Sequence, residues 1–153
     1  SNGPEDDPES PKVVDTVKEI LGKIPLLGIS TGHQVIARAL GARITKMKIG
    51  HHGLNYPVKS PDSLSRPAIK TADGIPLSAG KGEITAQNHS FVVDEDSLNQ
   101  KDTQIVEKNI NDKTIEKLKS KKLKFISIQY YPLSPGLNEI NSAFKEFAEM
   151  LSR

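Results

Sequence analysis

A chain of 153 residues, 35% hydrophobic and 26% charged, has the size and composition of one globular domain, with material for a single core and a single site. Lys and Arg exceed Asp and Glu by only 2, which argues against a nucleic-acid footprint, and no apolar run approaches the ~20 residues of a membrane span. The chain has no cysteine, which excludes disulfides and thiolate metal sites, and no signal-peptide pattern opens it, so the expected location is cytoplasmic or the mitochondrial matrix.

The first eleven residues, rich in Pro, Asp, Glu and Ser, read as a loop running into a helix N-terminus. Val13, Val14, Val17, Ile20 and Leu21 recur at helical spacing and predict an amphipathic helix ending near Gly22. Pro25-Leu-Leu-Gly-Ile29 is a short continuous apolar run of the kind found in a strand covered on both faces. Ser30-Thr-Gly-His-Gln34 follows at once, and Val35, Ile36, Ala39 and Leu40 continue as a helix stopped by Gly41. Strand, sharp turn, helix is the nucleophile-elbow arrangement, with Ser30 at its tip.

Short extended pieces are predicted from Arg43 to Lys48 and from Gly50 to Val58, and the polar stretch 59–82 reads as a surface loop or hairpin. Glu83-Ile-Thr-Ala86 and Phe91-Val-Val93 read as two strands separated by a polar junction, Gln87-Asn-His-Ser90. Further strands are expected at Gln104 to Asn109 and Lys124 to Tyr130. The lysine-rich run Lys117 to Lys124 reads as a solvated face. Ile140, Phe144, Phe147, Met150 and Leu151 mark a C-terminal helix. The fold class expected is α/β, an open, mostly parallel sheet with flanking helices and the elbow at its carboxyl edge. Residues 1–153 form one domain.

Three motifs in order carry a family resemblance: Ser1-Asn-Gly-Pro4, Pro25-Leu-Leu-Gly-Ile-Ser-Thr-Gly-His-Gln34 and Ile128-Gln-Tyr-Tyr-Pro132. They resemble the oxyanion loop (residues 1–11), the elbow and the base-bearing strand of class I glutamine amidotransferases. Lys46-Met-Lys-Ile-Gly-His-His-Gly-Leu-Asn-Tyr-Pro-Val58 and Thr85-Ala-Gln-Asn-His-Ser-Phe91 are similar to the glutaminase domain of carbamoyl-phosphate synthase small chains. The resemblance implies a domain incomplete at its N-terminus, since the loop already opens at Ser1. It also implies partnership with a carbamoyl-phosphate synthase large chain or fused synthase domains, in arginine or pyrimidine biosynthesis. No cofactor is implied.

In the family, an elbow cysteine attacks the side-chain amide of glutamine, a histidine shuttles protons and a glutamate orients that histidine, while backbone amides hold the developing charge. At the matching catalytic positions this chain has Ser30, Tyr131 and Leu133. A serine hydroxyl needs a base to become a nucleophile, a phenol keeps its proton at neutral pH, and a leucine orients nothing. Glu5 stands where the family's loop carries glycine, adding charge where an anionic intermediate would sit. The resemblance therefore implies a glutaminase site that has lost its chemistry, in a synthase that uses free ammonia; the Gly-Ile-Ser-Thr-Gly run is similar to the elbow of ammonia-dependent members.

By the same resemblance, Gly3, Thr31, Gln34, Asn88, Ser90 and Phe91 fall at glutamine-binding positions, with Ser90 in place of a usual glycine. Glutamine is the expected small-molecule partner of any pocket that survives. No metal site is expected: His51 and His52 point to opposite faces of a strand, and the local sequence adds no carboxylate or cysteine at ligand spacing. His33 and His89 are expected to make structural hydrogen bonds.

Overall fold

The computed structural model describes residues 10–60, 69–70, 76–77, 82–133 and 139–152. Helix α1 (Ser10–Ile20) turns Val14 inward and packs Val17 and Leu21 against the core. It stops at Gly22, whose φ of 80° lies in the left-handed region open to glycine and whose amide donates to the Leu123 carbonyl at 3.0 Å. Strand β1 (Leu26–Ile29) follows, then helix α2 (Thr31–Ala39), ended by Gly41 at φ 88°.

A six-stranded sheet runs in the order β1-β8-β7-β6-β2-β5, with β2 (Ile44–Lys59), β5 (Gly82–Val93), β6 (Gln104–Asn109), β7 (Ile115–Ser120) and β8 (Phe125–Ile128). Strands β3 (Ile69–Lys70) and β4 (Pro76–Leu77) form a separate antiparallel pair within the 59–82 stretch. The α/β class and the flanking helices stand, but the strand sense corrects the expectation of a mostly parallel sheet. Among the described residues only β1 and β8 pair in parallel, Leu26 opposite Phe125 through Ile29 opposite Ile128. The pairs β2–β5, β2–β6, β6–β7 and β7–β8 are antiparallel. Connection length is the reason: a turn over residues 121–124, closed by Lys124 at φ 52°, joins β7 to β8, and a parallel pair needs a far longer crossover.

Strand β5 runs unbroken through Gln87 to Ser90, where a polar junction was expected. Each polar group there has a partner in the sheet: Asn88 Oδ1 accepts from His52 Nδ1 at 2.7 Å, and Gln87 Oε1 lies 3.0 Å from His51 Nδ1. Such pairing removes the penalty that would end a strand at polar residues.

The core lies on both faces of the sheet. Ile36 and Ala37 of α2 pack with Leu118 and Phe125 on one, and Ala143 of helix α3 (Ser142–Leu151) packs with Val58, Ile128 and Tyr130 on the other. Asn141 caps α3, its Oδ1 accepting from the Ala143 amide at 3.0 Å. Phe144 and Leu151, expected on an inward stripe, are exposed, since Ala143 takes the contact. The solvated lysine face is also corrected at its start. Lys117 is only 1% exposed and its ammonium reaches Glu146 at 2.7 Å. Strand β7 buries it because α3 covers that face and supplies the carboxylate.

Candidate active site

The elbow is built by close approach of backbone. A side chain at Gly28 would bring its Cβ to 2.7 Å from the Gly32 carbonyl oxygen and from Ile36 Cδ1, so β1 and α2 meet only because residue 28 is glycine. Ser30 sits between them at φ 54° and ψ −112°, a conformation that an L-residue adopts only when its surroundings enforce it. Its amide donates to the Ile128 carbonyl at 2.9 Å, and its own carbonyl accepts from His33 at 2.9 Å, so backbone on both sides holds the turn. The residue is buried, and its hydroxyl makes no capping bond to α2.

Because β1 and β8 are parallel, Ser30 and Tyr131 leave the carboxyl ends of adjacent strands. The Tyr131 amide donates to the Ala86 carbonyl at 2.9 Å, which draws this end of β8 against β5. Leu133 lies beyond, 57% exposed, its carbonyl accepting from Asn141 Nδ2 at 3.2 Å. Of the expected glutamine contacts, Gln34 and Phe91 come together: Gln34 Nε2 donates to the Phe91 carbonyl at 3.2 Å and to Gln129 Oε1 at 3.3 Å. Asn88 and Ser90 share His52, Ser90 Oγ lying 3.4 Å from its Nε2. Thr31 opens α2 directly after the elbow. Gly3 and Glu5 lie outside the described residues. A groove of about 890 Å³ lined by Lys59, Glu95, Gln104 and Lys108 has no lining residue from β1, α2 or β8, so it is separate from the elbow.

His33 is fully buried with Nδ1 2.9 Å from Ser127 Oγ, and burial, with His89 nearby, lowers its pKa to about 3. It stays neutral at ordinary pH and faces β8. Ser127 was not singled out by the sequence reading, nor was Gln129, although alternation along β8 is enough to place both on defined faces.

A second polar cluster lies behind Phe91. His51, buried at 6%, donates through Nε2 to Asp112 Oδ2 at 2.8 Å and lies 3.6 Å from Glu116 Oε1, while His52 on the opposite face is exposed. His89 donates through Nδ1 to the Phe91 carbonyl at 3.0 Å and turns Nε2 to Gln87 Oε1 at 2.6 Å. Burial, and then His51, pull the His89 pKa down to about 4. For His51, burial acts downward, but Glu116, Asp112 and Gln87 outweigh it and raise the value. The carboxylates Asp112 and Glu116 come from the β6–β7 turn and from β7, more than sixty residues away along the chain. No local spacing around His51 announces them.

Comparison with known proteins agrees with this architecture. The profile of the family "Glutamine amidotransferase class-I" matches residues 1–150. The chain is 40% identical over 152 residues to the carbamoyl phosphate synthase small chain of Bacillus cereus, covering 99% of this chain and 37% of that protein. It is 40% identical over 152 residues to the carbamoyl phosphate synthase pyrimidine-specific small chain of Bacillus subtilis. A chloroplastic small chain of Oryza sativa is 41% identical, with 99% of this chain and 30% of that protein covered. The chain thus spans about a third of the length of these relatives. A glutamine amidotransferase of Thermotoga maritima superposes with a TM-score of 0.59 at 19% identity, covering 86% of this chain and 52% of that one, a likeness of fold. Profile, elbow and strand arrangement converge, and the chain belongs to the class-I glutamine amidotransferases, as a domain like that of carbamoyl phosphate synthase small chains.

Proposed function

We propose that this domain has lost glutaminase chemistry and keeps a structural or regulatory place in a carbamoyl-phosphate synthase that draws on free ammonia. The observation that carries the reading is a formed elbow without its chemical partners. Ser30 holds the strained tip, Tyr131 follows the parallel strand at the position that the family resemblance gives to the base, and Leu133 is 57% exposed with only its backbone engaged. A serine with neither base nor orienting acid loses on the order of a million-fold in rate, leaving what binding and backbone amides supply.

The test is a nitrogen-donor assay with the purified protein and its synthase partner. Ammonia supports carbamoyl phosphate formation and glutamine does not; brisk glutamine hydrolysis overturns the reading. The single change Ser30→Cys leaves hydrolysis undetected, because base and acid remain missing. Recovery by Ser30→Cys alone would instead identify a working glutaminase with one substituted nucleophile.

A second reading, a glutamine-binding module without turnover, draws on the bonds from Gln34 to the Phe91 carbonyl and to Gln129, which hold that part of the expected pocket in place. Calorimetry with glutamine separates the two, saturable binding at millimolar concentrations supporting the module and its absence removing it.

A further inference from the structure

The cluster behind Phe91 gathers lone pairs from three strands. The Phe91 carbonyl can only accept, so His89 Nδ1 carries a hydrogen, and its neutral ring presents a lone pair at Nε2. Asp112 likewise takes the Nε2 hydrogen of His51, so the neutral ring, the form that binds a metal, has its lone pair at Nδ1. Both lone pairs point at one oxygen, Gln87 Oε1, at 2.6 and 3.0 Å. Rotating the Gln87 amide would turn its Nε2 to both lone pairs, but only if the Thr85 hydroxyl gives up the Tyr56 carbonyl, 2.8 Å away, to donate to the turned Oε1 at 3.0 Å. Glu116 adds a carboxylate, its Oε1 3.6 Å from His51 Nδ1, and its buried Oε2 has no hydrogen-bond partner. Glu116 Oε1 also accepts from Asn109 Nδ2 at 3.3 Å, and the two imidazole lone pairs and Gln87 Oε1 converge beside it.

A cation is what such an arrangement accommodates. His51, His89 and Glu116 are all buried and offer ligand atoms within 4.8 Å of one another. Tetrahedral Zn²⁺ with bonds near 2.0–2.1 Å has ligand atoms about 3.4 Å apart, so an ion would part Gln87 Oε1 from His89 Nε2, now at 2.6 Å, and leave His51 Nδ1 and Glu116 Oε1 near their 3.6 Å. The outer partners also match: a metal-bound histidine usually gives its other N–H to a carboxylate or a backbone carbonyl, as His51 does to Asp112 and His89 to Phe91. Two imidazoles with carboxylate and amide oxygens form a borderline donor set, suited to zinc rather than to calcium or magnesium.

We propose that His51 Nδ1, His89 Nε2, Glu116 and Gln87 Oε1 form a closed, structural zinc site, with Asp112 and the Phe91 carbonyl orienting the two imidazoles. The site would tie β2, β5 and β7 together and, through the Phe91 carbonyl shared with Gln34, brace the elbow helix. Local spacing sets His51 beside His52 alone; the pleat separates those two, and the other ligands come from β5 and β7.

Protein stripped with EDTA and dialysed is titrated with Zn²⁺ against a chromogenic chelator, and in parallel with Co²⁺. One equivalent of zinc, intense visible d–d bands of tetrahedral cobalt and a zinc-dependent rise in Tm are expected. Glu116→Gln abolishes stoichiometric binding, and Asp112→Asn, at a half-exposed turn position, weakens affinity by about 10–100-fold. Failure of the stripped wild-type protein to take up zinc, a weak octahedral cobalt spectrum, or wild-type affinity in Glu116→Gln overturns the proposal. Should Glu116→Gln not fold, unchanged affinity in Asp112→Asn overturns it by itself.

Discussion

At the scale of single residues, the elbow is a strained turn held by backbone on both sides. Ser30 holds φ 54° and ψ −112°, and its hydroxyl makes no capping bond to α2. Such a conformation costs about 1–3 kcal/mol in an L-residue. Glycine adopts it without that cost but has more unfolded-state freedom to lose, about 0.4–1 kcal/mol. Ser30→Gly is therefore expected to raise stability by about 1 kcal/mol, read as a higher urea midpoint at unchanged m-value. Gly28→Ala is the opposing case: its Cβ would sit 2.7 Å from the Gly32 carbonyl oxygen, and prising β1 from α2 should cost about 1–3 kcal/mol in the same experiment. Both residues were legible as an elbow from sequence, because strand, tight turn and helix are local features. The partners of His51 were not.

At the scale of elements, β7 is the most instructive segment. Its lysines suggest a solvated face, yet Lys117 is covered by α3 and held by Glu146, with Glu107 at 3.5 Å. Burial pushes the Glu146 carboxyl up, but hydrogen bonds from Lys117 and Lys119 outweigh it and hold the pKa below the ordinary 4.5. A depressed carboxylate stabilises the fold fully above its unfolded value and loses that contribution as pH falls through the folded one. Glu146→Gln should thus destabilise the protein by about 1–3 kcal/mol near neutral pH, by leaving the Lys117 ammonium underpaired. The difference from wild type should shrink to nothing in acid, as chemical denaturation across pH 2–7 would record. A flat difference with pH would assign the effect to packing of α3 instead.

At the scale of the whole molecule, β8 is the hinge of the design. It pairs in parallel with β1 and in antiparallel with β7, it has α2 and α3 packed against its two faces, and its residues Phe125 to Ile128 are all buried. Amide hydrogens of Ile126 and Ile128 should exchange only on global unfolding, whereas those of Lys121 and Lys122 in the exposed β7–β8 turn should exchange far sooner. If β8 exchanged no more slowly than β2, the sheet would not be organised about it. The same strand carries Tyr131 at its carboxyl end, beside the strand that leads into the elbow.

The sequence by itself determined the family and the elbow, because those depend on residue type and local order along the chain. It also placed β1, α2, β6 and β8, whose apolar periodicity is undisturbed. Only the tertiary structure decided the strand sense, the continuity of β5, the burial of Lys117 and the meeting of His51, His89 and Glu116. Each of these rests on partners distant in the chain. A polar side chain inside a strand looks misplaced until the neighbouring strand supplies the group that satisfies it, and that supply is a property of the sheet.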